Sequence, residues 1–353
     1  MTRRTTSAEL MQRPWIYWIL AAVVLIVYAR LLMMQPPGSE PPLDAEMMTE
    51  DEAGFLQTPL ESAKLSDAMK RHPAAARMLG FWTMLAAGLG FGGLMLSIRL
   101  LQRDGWRRVL RYPSRLGVAW SFGEIGRILL LLGFVASLLP FVRLLLMAVG
   151  PAWASDAHVW GLVAMFILEG FLLLILWGFA QSKALSFITL LGLRWRQGVK
   201  AIRIGLQSYV TMFPWIAGLL WLTARICHLF GMTPPVEPIH ELLFVEQRML
   251  VVGLTVLLAC VVGPIAEECF FRGLIFAALR KRAGRLVAIL ASSALFAGVH
   301  TNLVGFFPIM LLGSLLAYIY ERTGSLWGSI VVHIMHNSLL VGTGLTLKEL
   351  LWR

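Results

Sequence analysis

Long runs without charge dominate this chain, and they constrain its fold more than any other feature. Each run is long enough for a helix across a hydrocarbon core of about 30 Å. They lie at about 15–34, 78–100, 128–149, 159–180, 205–226, 250–279, 286–306, 304–320 and 326–346. The boundary between the seventh and eighth runs is blurred, with the seventh ending near Asn302 and a tight turn following. In a bilayer every backbone polar group must be satisfied internally, so such runs become helices. The expected fold is therefore all-α, a polytopic transmembrane bundle of about 8–9 spans. Composition agrees, with 58% hydrophobic and 14% charged residues against roughly half and a quarter in soluble chains.

The first run follows Arg3, Arg4 and Arg13 and is long for a signal-peptide core. No small-x-small cleavage pattern precedes Gln35-Pro36-Pro37, so residues 1–34 are expected to hold an uncleaved span. Residues 35–77 form an acidic extracytoplasmic loop with Glu40, Asp44, Glu46, Glu50, Asp51, Glu52, Glu61 and Asp67. A short amphipathic helix is expected there, around Leu60 to Met69. Residues 78–226 supply further spans of unassigned role, and 245–346 hold the motifs discussed below.

The formal charge of +11 fits membrane topology better than nucleic acid, for which the chain has no motif. Four basic segments fall on one side if the spans alternate: Arg3 to Arg13, Arg103 to Arg115, Lys183 to Arg203, and Arg280 to Arg285. Glu237, Glu241 and Glu246 join the acidic loop on the other side. Lys and Arg collect on cytoplasmic loops. A cytoplasmic N-terminus in an integral, multi-pass protein follows, and the absence of organellar signals points to a bacterial cytoplasmic membrane. Cys227, Cys260 and Cys269 show no pairing or CxxC pattern.

Ionisable residues inside a span are expensive and so mark function by default. Arg30, Arg99 and Arg225 lie near span ends, where long side chains snorkel to the interface. Arg143 and Glu169 lie deeper and are expected to pair across neighbouring helices. The span from Leu250 to Leu279 carries Gly263-Pro264, then Glu267, Glu268 and Arg272. Proline removes a backbone donor and kinks a helix. Glu268 and Arg272 are four apart and share a face, while Glu267 lies about 100° around the helix. Arg272 can neutralise one carboxylate while the other faces a cavity.

His300, with Phe296 one turn before it, lies in the next run, and His333, His336 and Asn337 lie in the last. Glu267, His300 and His333 fall at comparable depth, so the bundle is expected to gather them. There is no GxSxG elbow and no HExxH, since His240 to Phe244 lacks the second histidine. A carboxylate with histidines activates water in one of two ways. It acts directly as a general base, or Glu267, His300 and His333 hold a zinc ion that acidifies bound water. His and Asn side chains can supply donors to the oxyanion of a tetrahedral intermediate.

Glu267-Glu268-x-x-x-Arg272, Phe296-x-x-x-His300 and His333-x-x-x-Asn337, in that order on successive spans, resemble the motifs of the CPBP family. That family comprises the type II CAAX prenyl proteases and the bacteriocin-processing and immunity proteins, also called Abi. Thr323 to Trp327 is similar to the family's approach to its last motif, and the resemblance covers roughly residues 245–345. It implies an intramembrane peptidase in which Glu267 activates water, assisted by His300. His333 and Asn337 stabilise the oxyanion, while Glu268 and Arg272 support the site. His336 can take either role of its neighbour. The family is often labelled metalloprotease, yet an amide is a poor zinc ligand and Asn337 is placed like a donor. The metal-free site is therefore preferred, with no cofactor, over the alternative with Zn2+. The expected partners are the lipid bilayer and a membrane-anchored peptide or protein substrate. Rival readings are a non-catalytic scaffold or immunity protein and an ion-coupled transporter, for which no internal repeat is found.

Overall fold

A computed structural model describes residues 14–34, 62–110, 120–183, 186–193, 195–231, 241–300 and 304–351. The N-terminal arginines, the acidic stretch through Glu61, Arg111, Arg115, Arg194, Glu237 and residues 301–303 lie outside them, and Val304 and Gly305 form the turn expected after Asn302. Among the described residues there is no strand. The long helices are α1 (Pro14–Met34), α2 (Ser62–Arg71), α3 (Pro73–Leu110), α4 (Phe122–Val149), α5 (Ala157–Ser182) and α6 (Trp195–Leu229). The stretch Met249–Gly298 (α7), then α8 (Phe306–Thr323) and α9 (Leu326–Leu351), complete the set. α2 is the short amphipathic helix expected near residues 60–69. Six of the helical stretches are long and apolar enough to cross a membrane: α3, α4, α5, α6, α7 and α9. The chain is an integral membrane protein built as an all-α bundle.

Local chemistry sets several ends. Ser121 and Glu124 make a reciprocal capping box at the start of α4, and Gly150 closes that helix in the left-handed region. α7 is not one rod. Gly284 has φ 79° and ψ 177°, a backbone that only glycine adopts freely. There the chain folds back, so that Phe296, twelve residues after Gly284, meets the Phe271 ring edge to face with centroids 5.1 Å apart. The two limbs are the two runs expected at 250–279 and 286–306.

The limbs of α7 pack with α8 and α9, α6 lies against α8 and α9, and α3 lies against α6 and α9. On the other flank α5 packs on the first limb of α7, with α4 and α1 beyond it. Two apolar clusters fill the spaces. Leu172, Leu176, Ala266, Leu274, Phe276 and Leu326 join α5, α7 and α9. Tyr209, Phe213, Leu312, Leu316 and Val332 join α6, α8 and α9. Without a hydrophobic driving force between helices in lipid, close approach through small residues counts. A Cβ on Gly328 of α9 would stand 2.5 Å from the Ala201 carbonyl of α6.

Polar networks mark both ends of the bundle. At one end Glu321, fully buried, takes Arg280 at 2.8 Å and Arg285 at 3.1 Å. These pairs tie the Gly284 turn to the end of α8. Lys183 meets Glu124 at 2.7 Å, and Arg282 lies 4.2 Å from the centre of the Phe122 ring. At the other end His158, Glu246, Arg248 and Asp156 join the start of α5 to the start of α7. Lys348 of α9 donates there to the carbonyls of Leu243 and Glu246.

Candidate active site

The first limb of α7 departs from α-helical register around its acidic motif. Leu258–Val262 and Glu268–Phe276 are π-helical, with Gly263–Glu267 between them. Such insertions are rare and frequent at functional sites. Here one consequence can be traced atom by atom. The Gly263 N–H bonds the Leu258 carbonyl, five residues back. In that register the Ala259 carbonyl would take the N–H of residue 264, but Pro264 has none. The orphaned carbonyl is satisfied from another helix, because Asn337 Nδ2 of α9 donates to it at 2.9 Å. An amide carries two N–H groups, so one remains for other use.

Glu268 and Arg272 form the ion pair that their spacing predicts, with Arg272 Nη1 2.7 Å from Glu268 Oε1. Both side chains are almost wholly buried, at 0% and 1% exposure. Arg272 is held on two further sides. Its Nη2 donates to the Gly313 carbonyl of α8 at 3.2 Å, and its guanidinium lies 4.2 Å from the centre of the Phe296 ring. Gly313 has to be small, since a Cβ there would stand 3.3 Å from Arg272 Nη2 and 3.1 Å from Ser293 Cβ.

His333 lies between the two adjacent carboxylates. Its Nδ1 is 3.2 Å from Glu268 Oε1 and its Nε2 is 3.7 Å from Glu267 Oε2. The side chain of His333 is 2% exposed, whereas that of Glu267 is 28% exposed, although its Oε2 beside His333 is buried and makes no hydrogen bond among the described residues. A carboxylate accepts, so the Glu268 contact places a proton on His333 Nδ1 and aims Nε2 at Glu267. His300 is oriented in the same manner by a different acceptor, with Nδ1 2.8 Å from the Phe296 carbonyl. The neutral ring then presents Nε2 as a lone pair. Both imidazoles flank Phe296, with ring centres 4.8 Å away for His300 and 5.6 Å for His333.

Glu267, Glu268, Arg272 and His333 thus meet directly, His300 joins them across the Phe296 ring, and Asn337 joins through the α7 backbone. Two expectations are corrected. His336 turns away from the cluster, with Nδ1 3.0 Å from the Tyr209 hydroxyl of α6, so it shares neither role of its neighbour. Arg143 does not pair with Glu169. It donates to the carbonyls of Ala154 and Ser155 at 3.1 and 3.2 Å, because those end a four-residue helix and lack partners of their own. Glu169 instead lies within electrostatic reach of Glu267. Among the described residues no group of three or more His, Cys, Asp or Glu side chains is arranged to hold a metal ion.

The fold and site define a multi-pass helical membrane protein with a buried carboxylate–histidine–arginine cluster at its centre. Residues 250–339 match the family described as "Type II CAAX prenyl endopeptidase Rce1-like". A Bacillus subtilis (strain 168) protein named "Putative membrane peptidase YdiL" is 34% identical over 114 residues, 32% of this chain and 46% of that protein. An "Uncharacterized 24.3 kDa protein" of Escherichia coli is 25% identical over 213 residues, 57% of this chain and 94% of that protein. This chain therefore spans about half the length of the first relative. No solved structure matches it. The segment that carries the cluster, residues 250–339, is thus similar to the type II CAAX prenyl endopeptidase family and to a protein named as a membrane peptidase.

Proposed function

We propose that this chain is an intramembrane endopeptidase that cleaves a membrane-anchored peptide or protein with water activated by Glu267, without a metal ion. The observation that carries the reading is the unequal treatment of two adjacent carboxylates. Glu268 is sealed and neutralised by Arg272, while Glu267 is partly open with His333 Nε2 beside it. A general base must reach the proton that it takes, and only Glu267 of the pair is placed to do so.

In this reading Glu267 takes a proton from water as the oxygen attacks the peptide carbonyl, and later passes it to the leaving amine. His300, with Nδ1 engaged by the Phe296 carbonyl, offers Nε2 to the same water. The second N–H of Asn337 stabilises the oxyanion, and His333, with a proton on each ring nitrogen between the two carboxylates, donates its Nε2–H to it as well. Glu268 and Arg272 fix His333 and touch no reacting atom. The protein is proposed to reside in a bacterial cytoplasmic membrane with its N-terminus inside, its other partner being the bilayer itself. The relatives' printed names support a peptidase and leave the substrate to be found. The test is direct: purified protein in lipid vesicles is given acyl-anchored peptides, and products are read by mass spectrometry. Site-specific products are expected, and intact peptides with folded protein would reject the activity.

A further inference from the structure

Glu169 sits near the middle of α5, on a face defined by its neighbours. Leu162, Met165 and Phe166 share a cluster with Leu258 and Val262 of α7. Leu172, Leu173 and Leu176 share another with Ile265, Ala266 and Cys269. Glu169 lies three residues after Phe166 and three before Leu172, so it belongs to the same face. That sets it level with the stretch between Val262 and Ala266, where residues 263–267 contact α5. Its electrostatic neighbour there is Glu267.

The charges around this point do not balance. Glu268 uses Arg272. Arg143, the cation expected for Glu169, is engaged by backbone carbonyls. Among the described residues no cation pairs with Glu169, although the side chain is only half-buried and stands beside the general base. A carboxylate at membrane depth with a like charge for a neighbour is costly. A visiting cation would remove that cost.

We propose that Glu169 is a specificity-determining residue whose carboxylate receives a lysine or arginine side chain of the substrate next to the bond that the water activated by Glu267 attacks. The inference rests on the peptidase reading above. The substrate's cation would neutralise the second acid of the site on binding, so the site would be completed by the correct substrate. Close charge pairs at interfaces are coupled by at least about tenfold in affinity.

The test uses palmitoylated peptides in vesicles, each carrying Lys, Gln or Glu at one scanned position. Wild type is expected to favour Lys over Gln by about tenfold in kcat/KM at one position, chiefly through KM. In Glu169→Gln the Lys-to-Gln ratio should approach one, and Glu169→Asp should restore part of it. No Lys preference in wild type, or the same ratio in Glu169→Gln, overturns the proposal. If wild type cleaves none of the peptides, the peptidase reading fails. Fluorescence anisotropy with the same peptides then still decides the matter. Tighter binding of the Lys peptide that Glu169→Gln abolishes supports the assignment, and charge-blind binding overturns it.

Discussion

Removing Arg272 is the perturbation whose cost the structure defines most fully. In Arg272→Met, Glu268 keeps its place at 0% exposure and loses the only cation that pairs with it directly, apart from the His333 ring. Breaking a buried pair from one side costs about 3–5 kcal/mol. The Gly313 carbonyl keeps its helical partner but loses the guanidinium bond, which adds about 0.5–1.5 kcal/mol. The stack on Phe296 survives in part, because a thioether also packs well against an aromatic ring. The combined loss rivals the whole stability of an ordinary domain, about 5–15 kcal/mol. Arg272→Met should therefore accumulate poorly and unfold far below wild type when melted in detergent. Adding Glu268→Gln removes the stranded charge, so the double variant should regain most of the stability. It should still not regain cleavage, because His333 has lost the carboxylate that aims it. An Arg272→Met protein as stable as wild type, or a double variant no better than the single, would refute this account of the pair.

Gly313→Ala puts a Cβ 3.2 Å from Phe296 Cδ1 and 3.3 Å from Arg272 Nη2; a loss of about 1–3 kcal/mol in melting experiments is expected, with slower cleavage. Asn337→Ala leaves the Ala259 carbonyl unpaired and removes a proposed oxyanion donor. Thermal stability should fall by about 1–3 kcal/mol and kcat by about 10²–10³-fold; a drop in stability alone would reassign Asn337 to structure. At the bundle end, hydrogen bonds from Arg248 hold the Asp156 carboxyl down to about 2 and that of Glu246 well below the usual range. Unfolded carboxyls titrate near 4, so this stabilisation is complete at neutral pH and is lost as pH falls from about 4 through about 2. Arg248 is half exposed, so the effect is screened and small; a melting curve against pH should flatten over that window in Arg248→Met.

The sequence made the membrane bundle legible because hydrocarbon thickness sets run length, and that signal survives any packing arrangement. It also made the Glu268–Arg272 pair legible, since four-residue spacing holds the two on one face even in the loosened register found there. What the residues beyond it contact was hidden. Whether His333 reaches Glu268, Glu267 or both depends on a π-helical stretch that local propensity does not announce. The Asn337 bond to Ala259 follows from Pro264 only once the five-residue register is known. Arg143 and Glu169 are a plausible pair by depth, yet depth says nothing of azimuth, and their helices turn them to different neighbours. Glu321 is the opposite case. It lies near a basic run that reads as a topology signal, and the fold uses Arg280 and Arg285 of that run to bury it.

The central claim is that Glu267 is the general base of a metal-free site. It is tested most directly by assaying cleavage of an anchored peptide with wild type and Glu267→Gln, each with and without chelator, alongside metal analysis of the purified protein. Gln keeps the shape and loses the base. The account predicts a fall of at least about 10²–10⁴-fold in kcat with unchanged melting, and no response of wild type to chelator. Stoichiometric zinc whose removal stops cleavage, or a Glu267→Gln protein that cleaves at the wild-type rate, would contradict it.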